Sequence, residues 1–235
     1  LANNHRPIAN RHQIFRELSM LTLGLTGGIA SGKSAVGAMF VQLGAHLIQA
    51  DSVAHQLMQP GHPVYDEVLR HFGSGILNPD RTINRPRLAE AAFGSSSDAP
   101  GGLSPRVREL NAIVHPAVIE YENRWMADLA RRYPGAIAIV EAALILESGG
   151  ADRFDHLLVV TCHPDQRIQR FAQRLGISED AARAEVSRRM AAQISDEEKI
   201  KAADFVIDNS GSLQETERQV RTIFAALAPH PGTLE

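Results

Sequence analysis

The chain has 235 residues, enough for one α/β domain with inserted helices and rather short for two full domains. Apolar residues make up 44%, no run of them is long enough to cross a membrane as a helix, and a formal net charge of −3 gives no sign of a nucleic-acid binder. The one cysteine, Cys162, leaves no internal disulfide, and the polar, basic start of the chain has no secretory h-region, so a cytoplasmic protein is expected.

Residues 1–19, LANNHRPIANRHQIFRELS, lack a long hydrophobic period and read as an extension outside a single domain expected over 20–230. Leu21–Thr26 is a short apolar run ending in glycines, the pattern of a buried parallel strand. Lys33–Leu43 follows with Val36, Phe40 and Leu43 at helical spacing and Gly44 as a stop. Ala45–Ala50 reads as a second strand ending at Asp51, and PGHP at Pro60–Pro63 punctuates the chain. A helix-rich stretch then runs to about Tyr133, interrupted by a surface loop at Ser95–Gly102. Ala136–Val140 and His156–Thr161 are apolar, β-branched strand candidates. Ala182–Lys201 is polar and helical in character, Phe205–Ile207 gives one more strand, and Leu213–Leu227 a closing helix.

This alternation predicts a parallel five-stranded sheet flanked by helices. Right-handed crossovers would bring Thr26, Asp51, Glu141 and Thr161 to one edge, at the C-terminal ends of the strands. The core is expected in 20–58, 134–165 and 203–230. The interruptions, 59–133 and 166–202, read as a helical substrate region and a lid.

Gly27–Ser34, GGIASGKS, fits G-x-x-x-x-G-K-[ST] throughout. Such a loop turns successive backbone N–H groups inward onto phosphate oxygens, which leaves little room for side chains at the bend. Gly28, Ala30, Ser31, Gly32 and Ala35 would line the cradle, Lys33 would reach the β- and γ-phosphates of ATP, and the Ser34 hydroxyl would coordinate Mg²⁺. Asp51 suits a proton acceptor or the holder of a metal-bound water, and equally a helix N-cap. Glu141 reads as a metal-assisting acid or as a solvated strand-end carboxylate, with Glu147 six residues on. Arg167, Arg170, Arg174, Arg188 and Arg189 could hold oxyanions from the lid, or pair with Asp165, Glu179, Asp180 and Glu185 on a solvated helix. His115, before Pro116, could contact substrate or sit at a helix break. At this level a kinase for a nucleoside monophosphate or small metabolite and a nucleotide-driven switch both remain open, although the guanine-selecting N-K-x-D pattern is absent.

Several stretches together resemble the dephospho-CoA kinase family: LTGGIASGKS (Leu25–Ser34), LGAHLIQAD (Leu43–Asp51), PGHP (Pro60–Pro63), FG (Phe72–Gly73), LNAIVHP (Leu110–Pro116), RMAAQ (Arg189–Gln193) and ADFVIDN (Ala203–Asn209). The resemblance implies ATP-dependent, Mg²⁺-assisted phosphorylation of the ribose 3′-hydroxyl of dephospho-CoA. The implied partners are those two small molecules, with neither nucleic acid nor membrane, and the implied assembly is a monomer or weak homo-oligomer. It assigns Asp51 as general base, Arg170 and Arg174 as lid arginines beside Lys33 in catalysis, and Arg85, Asn111 and His115 to the region that receives dephospho-CoA. The chain departs from the family pattern in having Gln49–Ala50–Asp51 for Asp-x-Asp, Ala143–Leu144–Ile145 for Pro-Leu-Leu, Arg167 where a glutamine is common, and Asn84 for an acidic residue before Arg85.

Overall fold

Strand β1 (Leu21–Gly27) lies at the centre of a five-stranded sheet with the order β2-β3-β1-β4-β5, the other strands being β2 (His46–Gln49), β3 (Ile137–Glu141), β4 (His156–Thr161) and β5 (Phe205–Asp208). The computed structural model describes residues 20–94 and 104–227; the expected extension at 1–19, the loop at Ser95–Gly102 and residues 228–230 lie outside the described residues. β1 pairs in parallel with both β3 and β4, and β4 with β5. A strand enclosed in this way is buried on both faces, which is why it reads as one apolar run and not as an alternation.

Two helices, α1 (Lys33–Gln42) and α9 (Leu213–Leu227), supply the apolar cover of one face of the sheet. Val36 and Phe40 from α1 and Val220, Ile223 and Leu227 from α9 join Leu23, Leu25, Ile139, Leu158, Val160 and Ile207 in one cluster. Each such side chain contributes about 1.5–3 kcal/mol by leaving water. Leu157 and Val159 alternate with Leu158 and Val160 along β4 and form a separate cluster with Ile145, as the two-residue period of a strand requires. After β3 the chain crosses to the other side of β1, so the sheet reverses its order there. Ligands of open parallel sheets bind in the crevice that such a reversal leaves at the C-terminal strand ends.

The chain divides into two compact units: residues up to Leu47 together with those from Met126 onward, and Ile48–Trp125 between them. The second unit holds α2 (Ala50–Leu57), α3 (Pro63–Phe72), α4 (Arg85–Phe93) and most of α5 (Pro105–Arg132). Val53, Leu57, Val64, Val68, Ile76, Leu88, Val114 and Val118 make its core. Val53 and Leu57 draw α2 into this unit, ahead of the expected start at 59.

Three local differences from the sequence reading bear on the site. The second strand stops at Gln49 and α2 begins at Ala50, so Asp51 lies in a first helical turn and not at a strand end. α5 continues as one helix past Pro116, although proline lacks the N–H donor there, so His115 sits within a helix and not at a break. The stretch 182–201 is two helices, α7 (Glu179–Ala191) and α8 (Asp196–Ala202). The second restarts at Ser195, whose hydroxyl accepts from the Glu198 N–H while the Glu198 carboxylate accepts from the Ser195 N–H. With α6 (Pro164–Leu175) they form the segment predicted as a lid, and Ile168, Phe171, Ala172, Ala182 and Val186 pack there with Ile29 of the glycine loop. Among the described residues no helix is long and apolar enough to cross a membrane.

Candidate active site

The glycine loop leaves β1 in a bend that only small residues allow. Gly27 has φ +149°, and a Cβ there would overlap the Val160 carbonyl oxygen. Gly32, at φ +97°, caps α1 and leaves room for the Asn209 side chain. Ala30 occupies the left-handed region at φ +53° without being glycine. The Lys33 ammonium folds back over the loop and donates to the carbonyls of Gly27 and Gly28, each at 3.0 Å. The N–H groups of Ser31 and Ala35 bond to the carbonyls of Gly28 and Gly32, so these two expected cradle donors also brace the bend.

Ser34 donates its hydroxyl to Glu141 Oε1 at 2.6 Å, and Glu141 is 8% exposed. Glu141 is therefore not a solvated strand-end carboxylate. Its neighbour Glu147 is structural, with one carboxylate oxygen 2.9 Å from the fully buried ammonium of Lys199. A hydroxyl that gives its proton to a carboxylate keeps its lone pairs free, so the Ser34 oxygen could hold a hard cation beside phosphate and water oxygens. Among the described residues no cluster of three or more His, Cys, Asp or Glu could hold a metal ion.

The five arginines of the lid segment that could hold oxyanions separate by environment. Arg170 donates to the Ser31 carbonyl at 3.3 Å and to the Asn209 carbonyl at 2.9 Å. Arg174 is exposed, its guanidinium 5.3 Å from the centre of the Phe171 ring, and Arg189 lies 5.7 Å from the same ring. Arg188 and Arg189 both pair with Glu185, and the hydrogen bond from Arg188 leads in holding that carboxyl below its ordinary range. Arg167 is buried, with its Nε on the Cys162 carbonyl and Nη2 on Asp196.

Sequence reasoning gave no role to Asn209. Its amide donates to the Ser31 carbonyl at 2.9 Å, and its own side-chain oxygen accepts from the Thr216 hydroxyl at 2.9 Å. The readable signal was its position one residue past β5, at the edge where the other strand ends meet.

In the second unit, Asp51 is exposed in the first turn of α2, whose N-cap is Gln49, so Asp51 is not the cap residue. Arg85 opens α4, exposed, behind the Asn84 cap that accepts from the Arg87 N–H. Asn111 and His115 lie one turn apart on α5, both half-buried. The helices carrying these residues share one core.

The family model described as dephospho-CoA kinase (CoaE) matches residues 21–215. The dephospho-CoA kinase of Leifsonia xyli subsp. xyli is 40% identical over 210 residues, covering 88% of this chain and 99% of its own. Among solved structures, TT1252 from Thermus thermophilus superposes with a TM-score of 0.70 at 30% identity, over 89% of this chain and 99% of its own. The dephospho-CoA kinase from Campylobacter jejuni, at 22% identity and a TM-score of 0.56 over 88% of this chain and 97% of its own, shares the fold.

Proposed function

Because the chain belongs to the dephospho-CoA kinase family, we propose that its glycine loop, lid arginines and Asp51 divide the work of one phosphoryl transfer. The enzyme phosphorylates the ribose 3′-hydroxyl of dephospho-CoA with ATP, giving coenzyme A and ADP; a different small-molecule kinase is not favoured. In this reaction a bond forms between the 3′-oxygen and the γ-phosphorus, the bond from that phosphorus to the β,γ-bridging oxygen breaks, and the hydroxyl proton leaves.

The observation that carries the division of roles is the glycine loop with Ser34 bonded to Glu141 at its exit. Lys33 offsets charge on the β- and γ-phosphates, and the inward N–H groups hold the chain of phosphates in line. Ser34 would hold Mg²⁺ and Glu141 would fix the direction of its hydroxyl; bound there, the ion neutralises phosphate charge. Asp51 accepts the proton of the 3′-hydroxyl, the task to which the family resemblance assigns it. Arg170 braces the loop through Ser31, while Arg174, exposed on the same helix, is the guanidinium available for phosphate oxygens. Arg85, Asn111 and His115 contact dephospho-CoA. We place the enzyme in the cytoplasm, where its free thiol stays reduced.

The test is an ADP-release assay with dephospho-CoA, adenosine and AMP as acceptors, on the wild-type chain and on Lys33→Ala. Turnover with dephospho-CoA alone, abolished in a folded Lys33→Ala variant, is expected. Wild-type-like turnover in that variant would remove the loop from the active site.

A further inference from the structure

Arg167 leads the fully buried side chains of the described residues in size, at 1% exposure. A cation at that depth requires partners that offset its lost hydration. It has two: Nε donates to the Cys162 carbonyl at 3.3 Å, and Nη2 pairs with the carboxylate of Asp196, the first residue of α8. Among the described residues Nη1 has no hydrogen-bond partner. It lies against Gly28, where a Cβ would overlap it, and Asp196 Oδ1 would be 3.4 Å from that same Cβ. Gly28 does not have a left-handed φ. Space, and not backbone conformation, keeps this position bare.

We propose that Arg167 is a positioning residue for the phosphate loop, and that its ion pair with Asp196 ties α6 and α8 to the loop at Gly28. The inference rests on the reading of Gly27–Ser34 as the ATP phosphate cradle. A guanidinium fixed on two sides gives the loop a rigid backing, which keeps its N–H groups aimed before ATP arrives. Its charge also lies next to the segment that receives a polyanion, in surroundings where water screens little. Where the family commonly has glutamine, this chain has a longer, charged side chain able to span from α6 to the α8 carboxylate.

The experiment is steady-state kinetics of the full chain carrying Arg167→Gln, Asp196→Asn, both together, or Arg167→Lys, with each substrate varied in turn and thermal melting recorded. Each neutral single variant is expected to raise KM for ATP about tenfold while KM for dephospho-CoA stays within about twofold. Lysine at 167 should recover part of the loss, and the double variant should be no worse than Arg167→Gln, because the two residues act as one unit. A purely structural role would lower the melting temperature and the active fraction and leave KM for ATP alone. That result, or single effects that multiply in the double variant, overturns the proposal. Should Arg167→Gln fail to fold, Asp196→Asn, at a partly exposed position, carries the same test. A wild-type enzyme that did not saturate with ATP would instead overturn the reading of the loop, and this proposal with it.

Discussion

The Ser34 hydroxyl donates to the Glu141 carboxylate at 2.6 Å, joining the first turn of α1 to the last residue of β3. Two residues 107 positions apart in sequence thus share one proton at the exit of the glycine loop. Glu141→Gln keeps the shape but can turn an N–H toward Ser34 and redirect its hydroxyl. The expected outcome is a fall in kcat of about 10–100-fold and a higher Mg²⁺ concentration for half-maximal rate. A Mg²⁺ titration of both enzymes checks it; an unchanged midpoint would leave Glu141 a structural acid.

Asp51→Asn retains size and loses basicity. General-base assistance is worth about 10²–10⁴-fold, so kcat should fall by that range while KM for ATP moves less than about threefold. Near-normal kcat would reduce Asp51 to a surface residue of α2.

Arg174 and Arg189 both stack on Phe171, and Arg174 remains exposed beside it. Arg174→Ala should lower kcat strongly, and Arg174→Lys should recover only part, because the planar fork is lost. Arg183 is the control. Its charge lies 3.8 Å from Asp165 in an exposed pair, and such pairs contribute about 0–1 kcal/mol, so Arg183→Ala should keep kcat and lose little stability. Full turnover in Arg174→Ala would return this helix face to solvent.

Ala30→Gly addresses strain. A left-handed conformation costs a non-glycine residue about 1–2 kcal/mol, and glycine gives back part of that through its looser unfolded chain. A net gain of about 0.5–1 kcal/mol is expected, visible as a rise of about 1–4 °C in melting temperature. A lower melting temperature would show that the Ala30 methyl contributes packing beside Ile29 that outweighs the strain.

The strands and the glycine loop were legible because their signals are local. LTLGLT is a buried run followed by a bend that needs glycine, and both can be read within ten residues. The Ser34–Glu141 bond was not legible, since nothing in an apolar strand such as IAIVE says what its terminal acid faces. In the sequence Asp51 reads as a strand end because Gln49 and Ala50 carry no turn signal, and only the start of the helix at Ala50 separates strand from helix. Arg167 reads in the sequence as one of five lid arginines, for holding oxyanions or for pairing on a solvated helix, and neither reading places it in the interior. Its spacing to Ile168, Phe171 and Ala172 puts it on the apolar face of α6, and that clue was present in the sequence.

Cys162 stands where these parts meet: its carbonyl holds Arg167, and its sulfur lies 3.9 Å from the Ala30 carbonyl. Burial pushes its thiol above the ordinary range, against the pull of the Arg167 and Arg170 charges, so it is both buried and poorly ionised. With so little of Cys162 exposed, alkylation is expected to be slow and to depend on local opening around the sulfur. The lone sulfur is consequently a built-in clock, and its labelling rate reads how often the native protein breathes at the phosphate end of its sheet.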